Sequence, residues 1–135
     1  MNIIIINSPL FRERNPLYDE DSLPPLGLGY IATNLKANGI DVELIDAVYD
    51  RISLTDLINK LNSQKPNFIA SNIFATNYRL VQELIEAIKF KTHFIIGGLS
   101  TKNLYQKIFD WKTKNNIDVI TGAVSYTHLT LPTKA

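Results

Sequence analysis

Residues 2–7 carry four consecutive isoleucines between two asparagines, and Ser8-Pro9 ends the run. A short, uninterrupted β-branched stretch closed by proline predicts a strand buried on both faces. Residues 10–23 are polar and charged, with Pro16 and the acidic cluster Asp19-Glu20-Asp21, and predict a loop. Pro24-Pro25 then suits the opening of a helix, where a missing N–H costs nothing. Leu28, Ile31, Ala32 and Leu35 recur at helical spacing, and Gly39 supplies a stop.

The same alternation continues down the chain. Residues 41–45 alternate polar and apolar as a second strand. Ser53 and Asp56 have capping-box spacing ahead of Leu54, Leu57, Ile58 and Leu61, the stripe of a second helix. Residues 67–71 predict a third strand, and Leu80, Val81, Leu84, Ile85 and Ile88 a third helix. Residues 93–96 predict a fourth strand running into Gly97-Gly98. Leu104, Ile108 and Trp111 suit a fourth helix, and residues 117–120 a fifth strand. Strands alternating with helices through short connections imply a parallel sheet with right-handed crossovers and helices on both faces. The expected fold is a doubly wound α/β domain with flavodoxin-like, Rossmann-like strand order 2-1-3-4-5. Ligands of such sheets bind beyond the carboxyl ends of the strands, beside the first strand where the order reverses. The candidate binding residues are therefore Asn7, Ser8, Pro9, Ser71, Asn72, Thr76, Gly97, Gly98, Thr121 and Gly122.

Composition narrows the chemistry. The 135 residues suit one domain, and a net charge of +1 gives no electrostatic case for nucleic acid or an acidic membrane surface. The longest apolar run, residues 3–6, is far too short to span a bilayer, and no basic segment precedes it. A cytoplasmic setting follows. With no cysteine, disulfides, thiolate metal sites and cluster ligation are excluded within this stretch. Residues 124–135 (Val-Ser-Tyr-Thr-His-Leu-Thr-Leu-Pro-Thr-Lys-Ala) lose the isoleucine and asparagine that abound upstream and hold three threonines. They resemble one reading frame of an adapter used in transposon-based sequencing libraries, so native sequence is expected over residues 1–123. His128 accordingly receives no role.

Several motifs compete with plainer readings. Gly27-Leu28-Gly29-Tyr30-Ile31-Ala32 matches G-x-G-x-x-A, but a dinucleotide fingerprint needs its glycines directly after the first strand, and residues 7–26 intervene. A receiver domain would need acidic residues where Asn7-Ser8-Pro9 stands. No phosphate loop or nucleophile elbow occurs. Gly97-Gly98 can allow close backbone approach to a ligand or simply form a turn. Ser71, Asn72 and Thr76 can bind a ligand or cap the following helix, and Asp46 reads as a cap. Arg12, Arg14 and Tyr18 read as solvated loop residues. Joint placement on one sheet edge is what favours binding.

Taken together, the block Pro24-Pro25-Leu26-Gly27-Leu28-Gly29-Tyr30-Ile31-Ala32-Thr33-Asn34-Leu35, then Gly39, Val42 and Asp46, resembles the cobalamin-binding domain at the N-terminus of cobalamin-dependent radical S-adenosylmethionine enzymes. Asn7-Ser8-Pro9, Ser71 through Arg79, and Ile95-Ile96-Gly97-Gly98 support the resemblance. It implies that cobalamin's nucleotide tail enters the carboxyl edge of the sheet. Ser71 would then donate a hydrogen bond, Gly97-Gly98 would provide space, and residues 7–10 would lie near the corrin. The histidine-bearing Asp-x-His-x-x-Gly motif of methyltransferase-type domains is missing, so no metal ligand is expected among residues 1–123. The resemblance further implies a truncated fragment without catalysis of its own. The S-adenosylmethionine site and four-iron cluster would belong to a domain following in the same chain. A stand-alone nucleotide- or dinucleotide-binding α/β domain is the alternative, and a domain that only packs against a partner is a third.

Overall fold

A computed structural model describes residues 1–9 and 25–122. The loop expected at 10–23 and the tail 124–135 fall outside the described residues. Five strands, β1 (Asn2–Asn7), β2 (Asp41–Asp46), β3 (Phe68–Asn72), β4 (His93–Gly97) and β5 (Asn116–Val119), alternate with α1 (Leu26–Ala37), α2 (Leu54–Gln64), α3 (Tyr78–Ala87) and α4 (Thr101–Phe109). All neighbouring strands are parallel, in the order β2-β1-β3-β4-β5. The expected flavodoxin-like topology is the observed one.

The isoleucine run becomes β1, an interior strand flanked by β2 and β3. Its side chains divide by the period of two. Ile4 and Ile6 join Ile45, Ile69, Phe94 and Ile96 beneath Leu57 and Leu61 of α2, Val81, Leu84 and Ile85 of α3, and Ile108 of α4. Ile3 and Ile5 face the other way, against Ala32 of α1 and Val42. Leu28, Ile31 and Leu35, the stripe expected of α1, pack around that second cluster. Three helices thus cover one face of the sheet. On the other face, the described helical cover is α1, which sits on β2 and β1.

Local signals set the element ends. Pro25 is the N-cap of α1, and Gly39 follows the helix at φ +79°, a left-handed conformation that favours glycine. Ser53 caps α2, its side chain accepting from Asp56 N–H at 3.1 Å. Strand β3 begins one residue later than the apolar pattern suggests, and Asn67 ahead of it is tied to Asn2. Its N–H donates to the Asn2 side chain at 3.0 Å, while Asn2 N–H donates to the Asn67 side chain at 2.9 Å. Among the described residues no helix is long and apolar enough to cross a membrane.

Candidate functional site

The carboxyl ends of the neighbouring strands β2, β1 and β3 carry polar residues on one face. Asp46 ends β2 two residues beyond Leu44, Asn7 ends β1 two beyond Ile5, and Asn72 ends β3 two beyond Ala70. Alternation therefore places all three on the α1 side of the sheet, because Leu44, Ile5 and Ala70 belong to the cluster there. Asn7 is in register with Asp46, and Asn72 with Gly97. The result is a row, Asp46–Asn7–Asn72–Gly97, across the topological switch point.

Hydrogen bonds join the row. Asn7 Nδ2 donates to Asp46 Oδ1 at 2.9 Å, and Tyr49 N–H donates to the same oxygen at 3.1 Å. Asn72 Nδ2 donates to Asn7 Oδ1 at a long 3.5 Å. Asn72 Oδ1 is buried and has no hydrogen-bond partner. A buried acceptor left unsatisfied costs about 1–3 kcal/mol, so this atom marks where the site departs from ordinary core construction.

The two glycines differ in what they do. A Cβ added at Gly97 would meet no heavy atom within 4 Å, so the end of the row is open. Gly98 has φ +115°, and a Cβ there would lie 2.8 Å from Ile73 O and 3.0 Å from Ile73 N. Its missing side chain lets the turn after β4 press against the turn after β3, where Ile73 N–H donates to Gly97 O at 2.8 Å. Gly97 therefore offers room to a ligand, and Gly98 serves the scaffold.

Other candidate residues have internal work. Ser8 is buried, and its Oγ accepts from Asn77 Nδ2 at 2.9 Å. Asn77, also buried, accepts from Phe74 N–H through Oδ1 at 2.6 Å, and its Nδ2 reaches Asn72 O at 3.3 Å. This single amide ties the turn after β1 to the turn after β3. Ser71 lies on the opposite face from Asn72, between the buried Ile69 and Ile73 in sequence, and its Oγ donates to Asn72 O at 3.0 Å. Pro9 is half-buried beside Ser8, and Thr76 is exposed. Thr121 and Gly122 are exposed beyond β5, with Gly122 at φ +76°. The structure thus brings Asn7, Asn72 and Gly97 together, sets Ser8 and Gly98 directly behind them, and leaves Thr76, Thr121 and Gly122 on the surface.

Sequence reasoning passed over two members, Asp46 and Asn77. Asp46 does act on its own turn by accepting from Tyr49, but it also anchors the row. Strand order supplies the signal for it: adjacent parallel strands that end on Asn7 and Asp46 bring those ends level. Asn77 had no such signal, since its partner Ser8 lies 69 residues away.

The G-x-G-x-x-A match meets a different geometry. Gly27 and Gly29 lie inside α1, and Gly29 N–H already donates to Pro25 O at 2.9 Å. His93 opens β4 at the amino end of the strands, away from the row, where its Nε2 lies 2.8 Å from Asp118 Oδ2. His128 lies outside the described residues.

The B12 binding domain family matches residues 19–129. The chain belongs to that family. A search of curated proteins returned no match. Cobalamin is the ligand class of a B12-binding domain, and the carboxyl edge can be tested against it. Cobalamin's periphery carries amides and hydroxyls that both donate and accept. A buried unsatisfied acceptor at Asn72 and open space at Gly97 suit such a surface. Among the described residues there is no cluster of three His, Cys, Asp or Glu side chains able to hold a free metal ion.

Proposed function

We propose that this B12-binding domain holds cobalamin against the carboxyl edge of its sheet, over the row Asp46–Asn7–Asn72–Gly97. The observation that carries the reading is the buried, unpartnered Asn72 Oδ1 beside the open Cβ position of Gly97, at the switch point of the strand order. Ser8, Asn77 and Gly98 hold the turns that shape the edge. Asn72, oriented by Asn7, would meet the cofactor's polar rim, and Gly97 would leave its body room. When bound, cobalamin supplies a cobalt centre able to carry an alkyl group. The protein's own part is to bind and orient it.

The finer reading is that the domain precedes the catalytic domain of a radical S-adenosylmethionine enzyme, with S-adenosylmethionine and a four-iron cluster held there, and that residues 124–135 are non-native. It is supported by the block from Pro24 to Leu35 with Gly39, Val42 and Asp46, and by the shift in composition after Ala123. Sequencing the source gene across the Ala123 codon tests it. A frame that runs on into Cys-x-x-x-Cys-x-x-Cys supports the reading, and a genomic stop after Ala135 removes it.

Titration of the full chain with hydroxocobalamin, followed by absorbance and calorimetry, tests the binding claim. Saturable heat and a shifted corrin spectrum are expected. A folded chain that leaves both unchanged would refute cofactor retention. NAD is the control, and it should give no thermal stabilisation.

A further inference from the structure

The row at the carboxyl edge has a direction. A carboxylate with no proton is acceptor-only, so Asp46 requires a donor from its neighbour, and Asn7 must turn its Nδ2 toward it (2.9 Å). That choice fixes Asn7 Oδ1 on the other side, where it accepts from Asn72 Nδ2 at 3.5 Å. Asn72 must then present Oδ1 away from Asn7, and this is the atom that is buried without a partner. Rotating the Asn72 amide by half a turn would bring two oxygens together. Rotating Asn7 to relieve that would set an oxygen against the Asp46 carboxylate. The orientation of all three groups therefore follows from the acceptor at one end of the row, which Tyr49 N–H also meets at 3.1 Å.

We infer that Asp46 acts as a polarity-setting residue, working through Asn7 to fix Asn72 Oδ1 as an acceptor for an N–H or O–H donor on the bound cofactor. The inference rests on the proposed cobalamin site, and it names the chemistry required at one contact. A corrin-side amide N–H or a ribose O–H satisfies it; a carboxylate or ester at the same place does not. Asp46 is a positioning residue here, and Asn72 makes the contact.

The test is a double-mutant cycle on the full chain, with hydroxocobalamin as the probe and calorimetric Kd as the readout. Asn72→Leu removes the acceptor at similar volume and should raise Kd about tenfold, the loss of one hydrogen bond to a buried site. Asp46→Ala removes the acceptor and frees Asn7 to turn its amide either way. Asn7 Nδ2 can then donate to Asn72 Oδ1, which leaves a donor facing the cofactor. Kd should rise about two- to fivefold for Asp46→Ala, because only part of the population keeps the acceptor outward. In the Asn72→Leu background, Asp46→Ala should have no further effect, since it acts only through Asn72.

Additive losses would overturn the inference by giving Asp46 a separate role. An unchanged Kd for Asn72→Leu would overturn it while leaving the cobalamin reading intact. A folded parent chain that fails to bind at all would instead remove the cobalamin reading. Far-UV circular dichroism monitors folding of each variant. If Asn72→Leu unfolds, Asp46→Ala decides alone: a Kd equal to the parent's overturns the inference.

Discussion

Gly98→Ala is the sharpest check on how the edge is built. The added Cβ would sit 2.8 Å from Ile73 O and 3.0 Å from Ile73 N, well inside the 3.4 Å at which ordinary contact begins. Both atoms are backbone, so no side chain can swing aside. The residue would also keep φ +115°, a conformation that costs a side-chain-bearing residue about 1–3 kcal/mol. Moving the turns apart would stretch the 2.8 Å bond from Ile73 N–H to Gly97 O, worth about 1 kcal/mol. Together these give a destabilisation of about 3 kcal/mol. With a urea m-value of about 1.5 kcal/mol/M for a domain of this size, the unfolding midpoint should fall by about 2 M. Gly97→Ala is the internal control. Its Cβ would meet nothing within 4 Å, and its midpoint should stay level or rise slightly, by about 0.5 kcal/mol in stability at most. A Gly98→Ala midpoint within about 0.3 M of the parent, or an equal fall for Gly97→Ala, would refute the division of labour between the two glycines.

The remaining predictions concern the scaffold behind the site. Asn77→Ala removes the acceptor for Phe74 N–H and the donor to Ser8, both at a buried position, and should cost about 2–3 kcal/mol in urea unfolding. Thr101→Val removes a buried hydroxyl that lies 2.8 Å from both Gly98 O and Ile120 O. The variant should lose about 1–2 kcal/mol by the same measurement, with Thr101→Ser recovering most of it. Phe94→Ala empties the centre of the larger cluster and should cost about 3–5 kcal/mol, visible as a large fall in Tm. Ser53→Ala deletes the cap of α2 and should cost about 1 kcal/mol.

The strands and helices were legible because each carries a local period. The isoleucines of β1, the stripe of α1 and the Ser53–Asp56 cap all signal within a few residues of themselves. The parallel sheet was legible from the alternation of strands and helices, and it put Asn7, Asn72 and Gly97 on one edge. Which side of the edge each residue faces was not. Ser71 and Asn72 are neighbours in sequence, yet alternation turns one toward the three-helix face and the other toward α1, and because β3 is apolar on both faces the sequence does not say which set meets which helices. Gly97 and Gly98 are equally uninformative as a pair; their difference lies in a backbone 25 residues upstream at Ile73. The Asn77–Ser8 bond spans 69 residues and leaves no local trace.

The interior position of β1 also bears on how the chain must be made. Synthesis releases the four isoleucines before either of their neighbours in the sheet, since β2 and β3 begin only at Asp41 and Phe68. Until both have emerged, an uncharged β-branched segment with two open hydrogen-bonding edges waits without its partners, and such segments seed intermolecular pairing. Folding of this domain is therefore a race between the ribosome and self-association. Any truncation ahead of β3 should leave a polypeptide that accumulates in aggregates, however sound the helices it already contains.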